Sequence, residues 1–358
     1  MRIRLDKIAS SARNANLTPW VIVGGDIPAR AGVVVAVRVL DEKSVYNQVE
    51  DMNGRMMTIH RGDVLAGVLG ERKALRGYSG RVPSQIEQGS ILHLLNLGGL
   101  IGECTSANPE VGPPARVEVL GAVQHFPHLG RRVGQAASIF PGPISISSVL
   151  HALPPMALVV GSCMHAGKTR AACSLIRQAS SQGLRVGVAK ITGVALRRDV
   201  LEMQDHGAVW GCSFADVGLP STCGGGILET VRGCLNAVAE QNVDLMVVEL
   251  GDGLMGEYGV KEVLGCAEIA AVAGAIVYAA NDPVAAWGGT LLLQELNVQA
   301  TVITGPATDN EAGCDAIRER VSLPVANARS QPELLAAHVL GALGFTAKDD
   351  GGIVVGAA

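Results

Sequence analysis

Apolar residues follow two different rhythms along this chain, and the change falls near residue 150. Before it, short β-branched runs such as "AGVVVAVRVL" (31–40), "GDVLAGVLG" (62–70) and "ARVEVLGAV" (115–123) stand between glycines. That is the pattern of short strands. The segment "MNGRMMTI" (52–59) adds Asn53-Gly54, a hairpin-turn dipeptide. After the change, apolar runs of strand length alternate with helical patterns, the signature of a parallel sheet with crossover helices. Between the two lies "FPGPISISSVLHALPP" (140–155), which holds four of the 16 prolines and reads as a linker. The expected division is a mostly-β domain over 1–139, a Pro-rich linker over 140–156, an α/β domain over 157–345 and a tail over 346–358.

Composition narrows the class. A chain of 358 residues is long for one core, so two domains are expected. Abundant glycine and scarce aromatic residues suit an α/β enzyme whose backbones pack closely. The net charge of −4 comes without a basic block, which argues against a general nucleic-acid surface. The start "MRIRLDKIASSARN" lacks the apolar core of a signal peptide, and no apolar run reaches the roughly 18 residues of a membrane span. Eight scattered cysteines without a CxxC pair read as reduced thiols in a cytoplasmic protein. The expected partners are a small-molecule substrate and a second copy of the chain, as a homodimer, with neither nucleic acid nor membrane.

The most specific stretch is "ALVVGSCMHAGKTRAACSLIRQASSQGLRVGVAKITG" (157–193). "ALVV" fits a buried parallel strand. Ala172, Leu175, Ile176 and Ala179 then fall on one helix face, and Gly183 supplies a stop. The loop between closes on Gly167-Lys168-Thr169, the end of a Walker A sequence. Backbone N–H groups and the helix N-terminus would hold phosphates. Lys168, expected as an exposed contact, would reach the β and γ oxygens, and Thr169 would place its hydroxyl on Mg²⁺. The first glycine of the consensus belongs at position 162, where Ser162 stands; the glycine is one step earlier, at Gly161. Cys163, His165 and Cys173 also form a C-x-H-x₇-C spacing of metal-binding residue types, but its third member sits on a helix whose start is committed to phosphate.

That offset is informative, because "GSCMHAGKT" resembles the loop of dethiobiotin synthetase. The resemblance extends, in order, over residues 157–330. "VAKITG" (188–193) is similar to the family's strand ending in lysine, "GLPST" (218–222) to its substrate segment, and "VVELGDGL" (247–254) to its acidic strand end. "AGAIVYAANDP" and "VQATVITGP" resemble its last nucleotide-side strands, and "LPVAN" its closing one. Cobyrinic acid synthetases and P-loop proteins akin to D-glutamate N-acetyltransferase share this plan. The fold implied is an α/β parallel-sheet P-loop NTPase domain preceded by a smaller mostly-β domain.

The resemblance also implies roles. Gly161, Ser162, His165, Ala166, Gly167, Lys168, Thr169 and Arg170 would cradle the phosphates, with Asn281 as a nucleotide contact. Lys190, at the end of a strand beside the P-loop strand, would meet a substrate anion or the transferred phosphoryl group. Glu249 would be a Mg²⁺ ligand, since a carboxylate after an apolar run is costly to bury without a partner. An aspartate after the Lys190 strand would join it; Asp199 and Asp205 both qualify, Asp199 being favoured. Asp252 is a further acid near Glu249. The catalytic set is then Lys168, Lys190 and Glu249, and the metal set Thr169, Asp199 and Glu249.

Some positions depart from the pattern. The family's loop acid is replaced by Cys163, and the expected base-facing asparagine is missing near Thr304-Gly305-Pro306. No guanine-reading N-K-x-D occurs, which favours ATP. The function expected is an Mg²⁺- and ATP-dependent kinase- or ligase-type enzyme that activates a small carboxylate- or amine-bearing metabolite. A coenzyme A-dependent N-acyltransferase and a nucleotide-switched binding protein are the alternatives. In the N-terminal part, His60, Arg61, Asp63, Arg72 and Arg76 are either contacts for an anion or the rim charges of a small barrel.

Overall fold

The computed structural model describes residues 1–128, 130, 133–347 and 353–355. The chain divides into two compact units. One comprises Met1–Ser145, Val194–Arg198 and Phe214–Cys223, and the other Ile146–Gly193, Asp199–Ser213 and Gly224–Ala358. The expected tail at 346–358 lies largely outside the described residues; Phe345–Ala347 and Ile353–Val355 pair antiparallel.

The first unit is mostly β. Five of its strands close on themselves among the described residues: Arg116–His125, Val34–Val39, Val64–Leu69, Leu100–Ala107 and Ile91–Leu94, the last pairing again with the first. Val35, Val37 and Val39 face one core with Leu65, Leu92 and Val117, while Val34 and Ala36 face another with Ala66 and Val68. A strand covered on both faces loses the polar alternation of a half-exposed one, which explains the unbroken run "VVAV". Asn53-Gly54 sits in the turn between Gln48–Glu50 and Met56–Thr58. The Asp51 carboxylate accepts from the Asn53 and Arg55 N–H groups there. Glu50 is fully buried, and its two oxygens accept from the backbone N–H groups of Arg197 and Arg198.

The second unit is a six-stranded parallel sheet. Its strands are β1 (Met156–Gly161), β2 (Val186–Thr192), β3 (Ala208–Ser213), β4 (Leu245–Leu250), β5 (Ala273–Ala279) and β6 (Val302–Thr304). The order across the sheet is β3-β2-β4-β1-β5-β6, and every neighbouring pair is parallel. Strands β1, β2 and β4 are buried along their whole length, as both faces of a parallel sheet must be. Helix α1 (Lys168–Ser181) lays Ala172, Leu175, Ile176 and Ala179 on the core as the spacing predicts, and Gly183 follows with φ +90°. "LPVAN" does not extend the sheet as a full strand; Val325 forms a single parallel bridge with Ile303.

The strand order corrects one expectation. The strand bearing Lys190 is not beside the P-loop strand, because β4 occupies the slot between them. The first crossover therefore skips a place that the chain fills about 60 residues later, and the strand that fills it brings Glu249.

The α/β P-loop class follows from this parallel sheet and from the loop and helix after β1. No described helix is long and apolar enough to cross a membrane. Leu175 is fully buried at the centre of the α1 face. Leu175→Ala should cost about 2–5 kcal/mol in a denaturant titration, the usual cost of a buried leucine truncation. A smaller loss would mean that the helix does not close this core.

Candidate functional site

Parallel strands all end on one edge, so the residues at their C-terminal ends gather without any further device. Here Lys190 of β2 is the register partner of Glu249 of β4, and Glu249 is in turn the partner of Val159 of β1. Two residues beyond Val159 the chain enters the loop Ser162–Gly167. His165 takes φ 63° and Gly167 φ 90° before α1 starts at Lys168. No side chain caps this helix, so its first N–H groups remain for a ligand.

The loop is held from both sides. The Ser162 N–H donates to Ala279 at the end of β5 (2.9 Å), and the Leu254 N–H donates to the Gly161 carbonyl (3.0 Å). The segment after β4 lies so close that a methyl on Gly253 would come within 2.3 Å of the Ser162 carbonyl oxygen. Gly161 has a similar reason: a Cβ there would meet Lys168 Cγ at 2.9 Å. The glycine displaced from its consensus position thus makes the bed for the lysine stem.

Lys168 is not the exposed contact expected from its sequence. It is 6% exposed, with its ammonium donating to the Cys163 carbonyl at 2.8 Å. The stem lies against the end of β1, which explains the difference. Burial lowers its pKa below the ordinary lysine value; Glu249 opposes that shift and Lys190 adds to it. Lys190 behaves in the opposite way. Burial acts to lower its pKa, but Asp199 and Glu249 together hold it above the ordinary value. Its ammonium is paired with the Asp199 carboxylate and lies 3.4 Å from Glu249 Oε1.

Of the two competing aspartates, the structure brings only Asp199 to this place. It stands in the first turn of α2 (Arg198–Asp205), whereas Asp205 ends that helix and is exposed. Eight residues of helix separate two ends by about 10 Å. Glu249 is 2% exposed, and its Oε2 has no hydrogen-bond partner among the described residues. Asp252 is also buried, with φ 69°, and adds to the field at Lys168. Thr169 is half-buried on the first turn of α1. Thr192 donates from its hydroxyl to the Gly251 carbonyl (2.8 Å), which ties the end of β2 to the segment after β4.

Other expected residues stand outside this charge cluster. Asn281 directs its amide to the sulfur of Cys163 in the loop (2.7 Å). A cleft is lined by His165, Gly167, Arg170, Asp309, Asn327 and Arg329, with the Ala166 backbone packed against Gly305. Asp309, Asn327 and Arg329 were not singled out from sequence. They come from two loops far along the chain, and the one available signal was the asparagine of "LPVAN". Asn327 is already committed, donating to Thr308 Oγ1 and Asp309 Oδ1. Cys173 is buried in the α1 core, where burial pushes its thiol up to about 12. The segment Gly218–Thr222 falls in the first unit. There too Asp63 pairs with Lys7, and the buried Arg72 donates to the Leu95 carbonyl.

No family model matches this chain, and no curated protein does. Among solved structures it is similar to the signal recognition particle receptor FtsY from Elizabethkingia anophelis. That likeness has 14% identity over 57% of this chain and 68% of that one, with a TM-score of 0.34. Chloroplast FtsY from Physcomitrella patens is similar at 14% identity over 53% and 66%, with a TM-score of 0.36. Signal recognition particle 54 kDa protein from Aeropyrum pernix K1, in complex with GDP, is similar at 15% identity over 54% and 47%, with a TM-score of 0.37.

The charge cluster makes a prediction about stability. Asp199→Asn leaves the buried Lys190 ammonium with Glu249 alone, and should cost about 1–3 kcal/mol at neutral pH. The raised folded pKa of Lys190 means that its contribution is complete below the unfolded value of 10.5 and fades as pH rises through the folded one. The gap between wild type and Asp199→Asn in chemical unfolding should therefore narrow only on the alkaline side of 10.5. A gap that closes near neutrality would remove Lys190 from the interaction.

Proposed function

We propose that this protein is a Mg²⁺- and ATP-dependent enzyme that activates a small carboxylate- or amine-bearing metabolite by phosphoryl transfer, as a kinase or ligase. One observation carries the reading: Lys168, Lys190 and Glu249 converge, all buried, where an uncapped helix N-terminus meets the ends of β1, β2 and β4. A loop that only stores phosphate has no use for a second buried lysine and a buried carboxylate. Phosphoryl transfer does, because its transition state spreads negative charge that positioned cations neutralise.

In this reading the loop N–H groups and Lys168 hold the β and γ phosphates. The ammonium exchanges the Cys163 carbonyl for phosphate oxygen. Lys190, one strand beyond Glu249, faces the acceptor and steadies charge between the γ-phosphate and the attacking oxygen. Mg²⁺ would be held by the Thr169 hydroxyl, Glu249 and Asp199, and would supply charge neutralisation on the phosphates. The buried and unpartnered Glu249 Oε2 fits such a cation. The cleft lined by Asp309 and Arg329 is the place for the base, with ATP favoured by the lack of an N-K-x-D motif. The coenzyme A and switch alternatives have no observation of their own in their favour.

Calorimetric titration with MgATP tests the phosphate assignment. Lys168→Ala should abolish measurable binding and keep the fold, and Gly161→Ala should weaken binding at least about tenfold by displacing the lysine stem. Gly288→Ala, where a methyl meets nothing within 4 Å, should bind as wild type does. Because the free-state pKa of Lys168 is lowered and phosphate favours its charged form, affinity should fall with rising pH before 10.5 is reached. Equal affinity in wild type and Lys168→Ala would sink the reading. Lys190→Met should bind MgATP nearly normally yet lose about 10²–10³ in turnover once an acceptor is found. Loss of nucleotide affinity in that variant would move Lys190 onto the phosphates.

A further inference from the structure

The two carboxylates assigned above to a divalent cation already share a cation of the protein's own. Lys190 Nζ is paired with Asp199 and lies 3.4 Å from Glu249 Oε1, and its side chain is 11% exposed between acids at 14% and 2%. The stem is closely accommodated. A Cβ on Gly251 would come within 3.1 Å of Lys190 Cε and 2.3 Å of the Thr192 carbonyl oxygen, so the lysine owes its course to a bare backbone at that position. Among the described residues no group of three or more His, Cys, Asp or Glu side chains is placed to hold a metal ion. Mg²⁺ demands six oxygens in near-octahedral array. The free protein therefore offers a divalent cation two carboxylates that both face an ammonium.

We propose that Lys190 is the resident counter-ion of the Asp199–Glu249 pair and keeps divalent cations off the free protein, so that the cation enters only with the phosphates of the nucleotide. The ammonium compensates the two acids while the site is empty, which a buried pair of like charges requires. It also repels a second cation arriving alone. Nucleotide changes both conditions. Phosphate oxygens complete the cation's coordination, and the cation, once it holds the two acids, frees the ammonium to face the acceptor. Lys190 thereby sets the order of binding as well as facing the acceptor. The proposal rests on the assignment of Asp199 and Glu249 as the metal-facing pair, but not on the identity of the nucleotide.

Mn²⁺ alone, followed by the electron paramagnetic resonance signal of the free ion, tests this without nucleotide and without activity. Wild type should bind Mn²⁺ at least tenfold more weakly than Lys190→Met, in which the two carboxylates lose their cation. Lys190→Arg, which keeps the charge, should resemble wild type, and the double variant Lys190→Met with Glu249→Gln should lose the gain. Circular dichroism and thermal melting confirm that each variant is folded; if Lys190→Met is not, Lys190→Gln takes its place with the same expectation. Equal Mn²⁺ affinity in wild type and the neutral variant would overturn the proposal, as would a gain that survives in the double variant. Failure of the nucleotide reading is seen separately, as a wild type that does not bind MgATP in calorimetry.

Discussion

A charge is stable in a buried place only where an opposite charge or a hydrogen-bond acceptor meets it, and this constraint organises the second unit. Two ammoniums, Lys168 and Lys190, and the carboxylates of Glu249 and Asp199 lie at the end of a sheet whose central strands are buried along their whole length. None of the four would be stable there alone, since an uncompensated ion in such a place costs several kcal/mol. Each comes from a different element, so the pairing exists only when β1, β2, β4, α1 and α2 are all in place. Placing β4 between β1 and β2 achieves this, because it sets the acid between the strands that lead to the two lysines.

Close packing around the loop is a second consequence, and it explains the composition. With charged groups gathered at the strand ends, the surrounding backbone has to approach without side chains. Gly161 makes room for the Lys168 stem, and Gly253 lets the segment after β4 touch Ser162. A chain with 45 glycines and only 11 aromatic residues can do this repeatedly. Larger residues at these points would separate the loop from the acids that give it chemical meaning.

How much of this was legible in the sequence depended on the range of the interaction. The strand, loop and helix over 157–181 were legible because their periodicity and glycines are local. The strand order was not, because Val159 meets Glu249 across 90 residues of chain, and nothing local records that partner. The choice between Asp199 and Asp205 stayed open in the sequence, since it depends on where α2 begins. The burial of Lys168 was missed because a GKT lysine reads as an anion contact, while its stem is covered by the end of β1. Asp309 and Arg329 lie on loops whose meeting is set by tertiary structure alone. In the first unit the strands could be found, but not their closure. That closure depends on Ile91–Leu94 pairing with two strands at once.

The resting hydrogen bond of Lys168 bears on how this loop can be specific without being strained. An ammonium left bare in a buried loop would be destabilising, and one locked to a carboxylate would resist leaving it. Donating to the Cys163 carbonyl lies between these extremes, because a neutral acceptor satisfies the donor but binds it less strongly than an anion does. Phosphate replaces that carbonyl with a charged oxygen, so the exchange gains free energy while the stem remains in its bed over Gly161. Lys190 is in a different state, paired with one acid and close to a second. It will leave them only when further negative charge arrives. The two lysines thus differ in how readily they yield, and that difference follows from the strand each one serves.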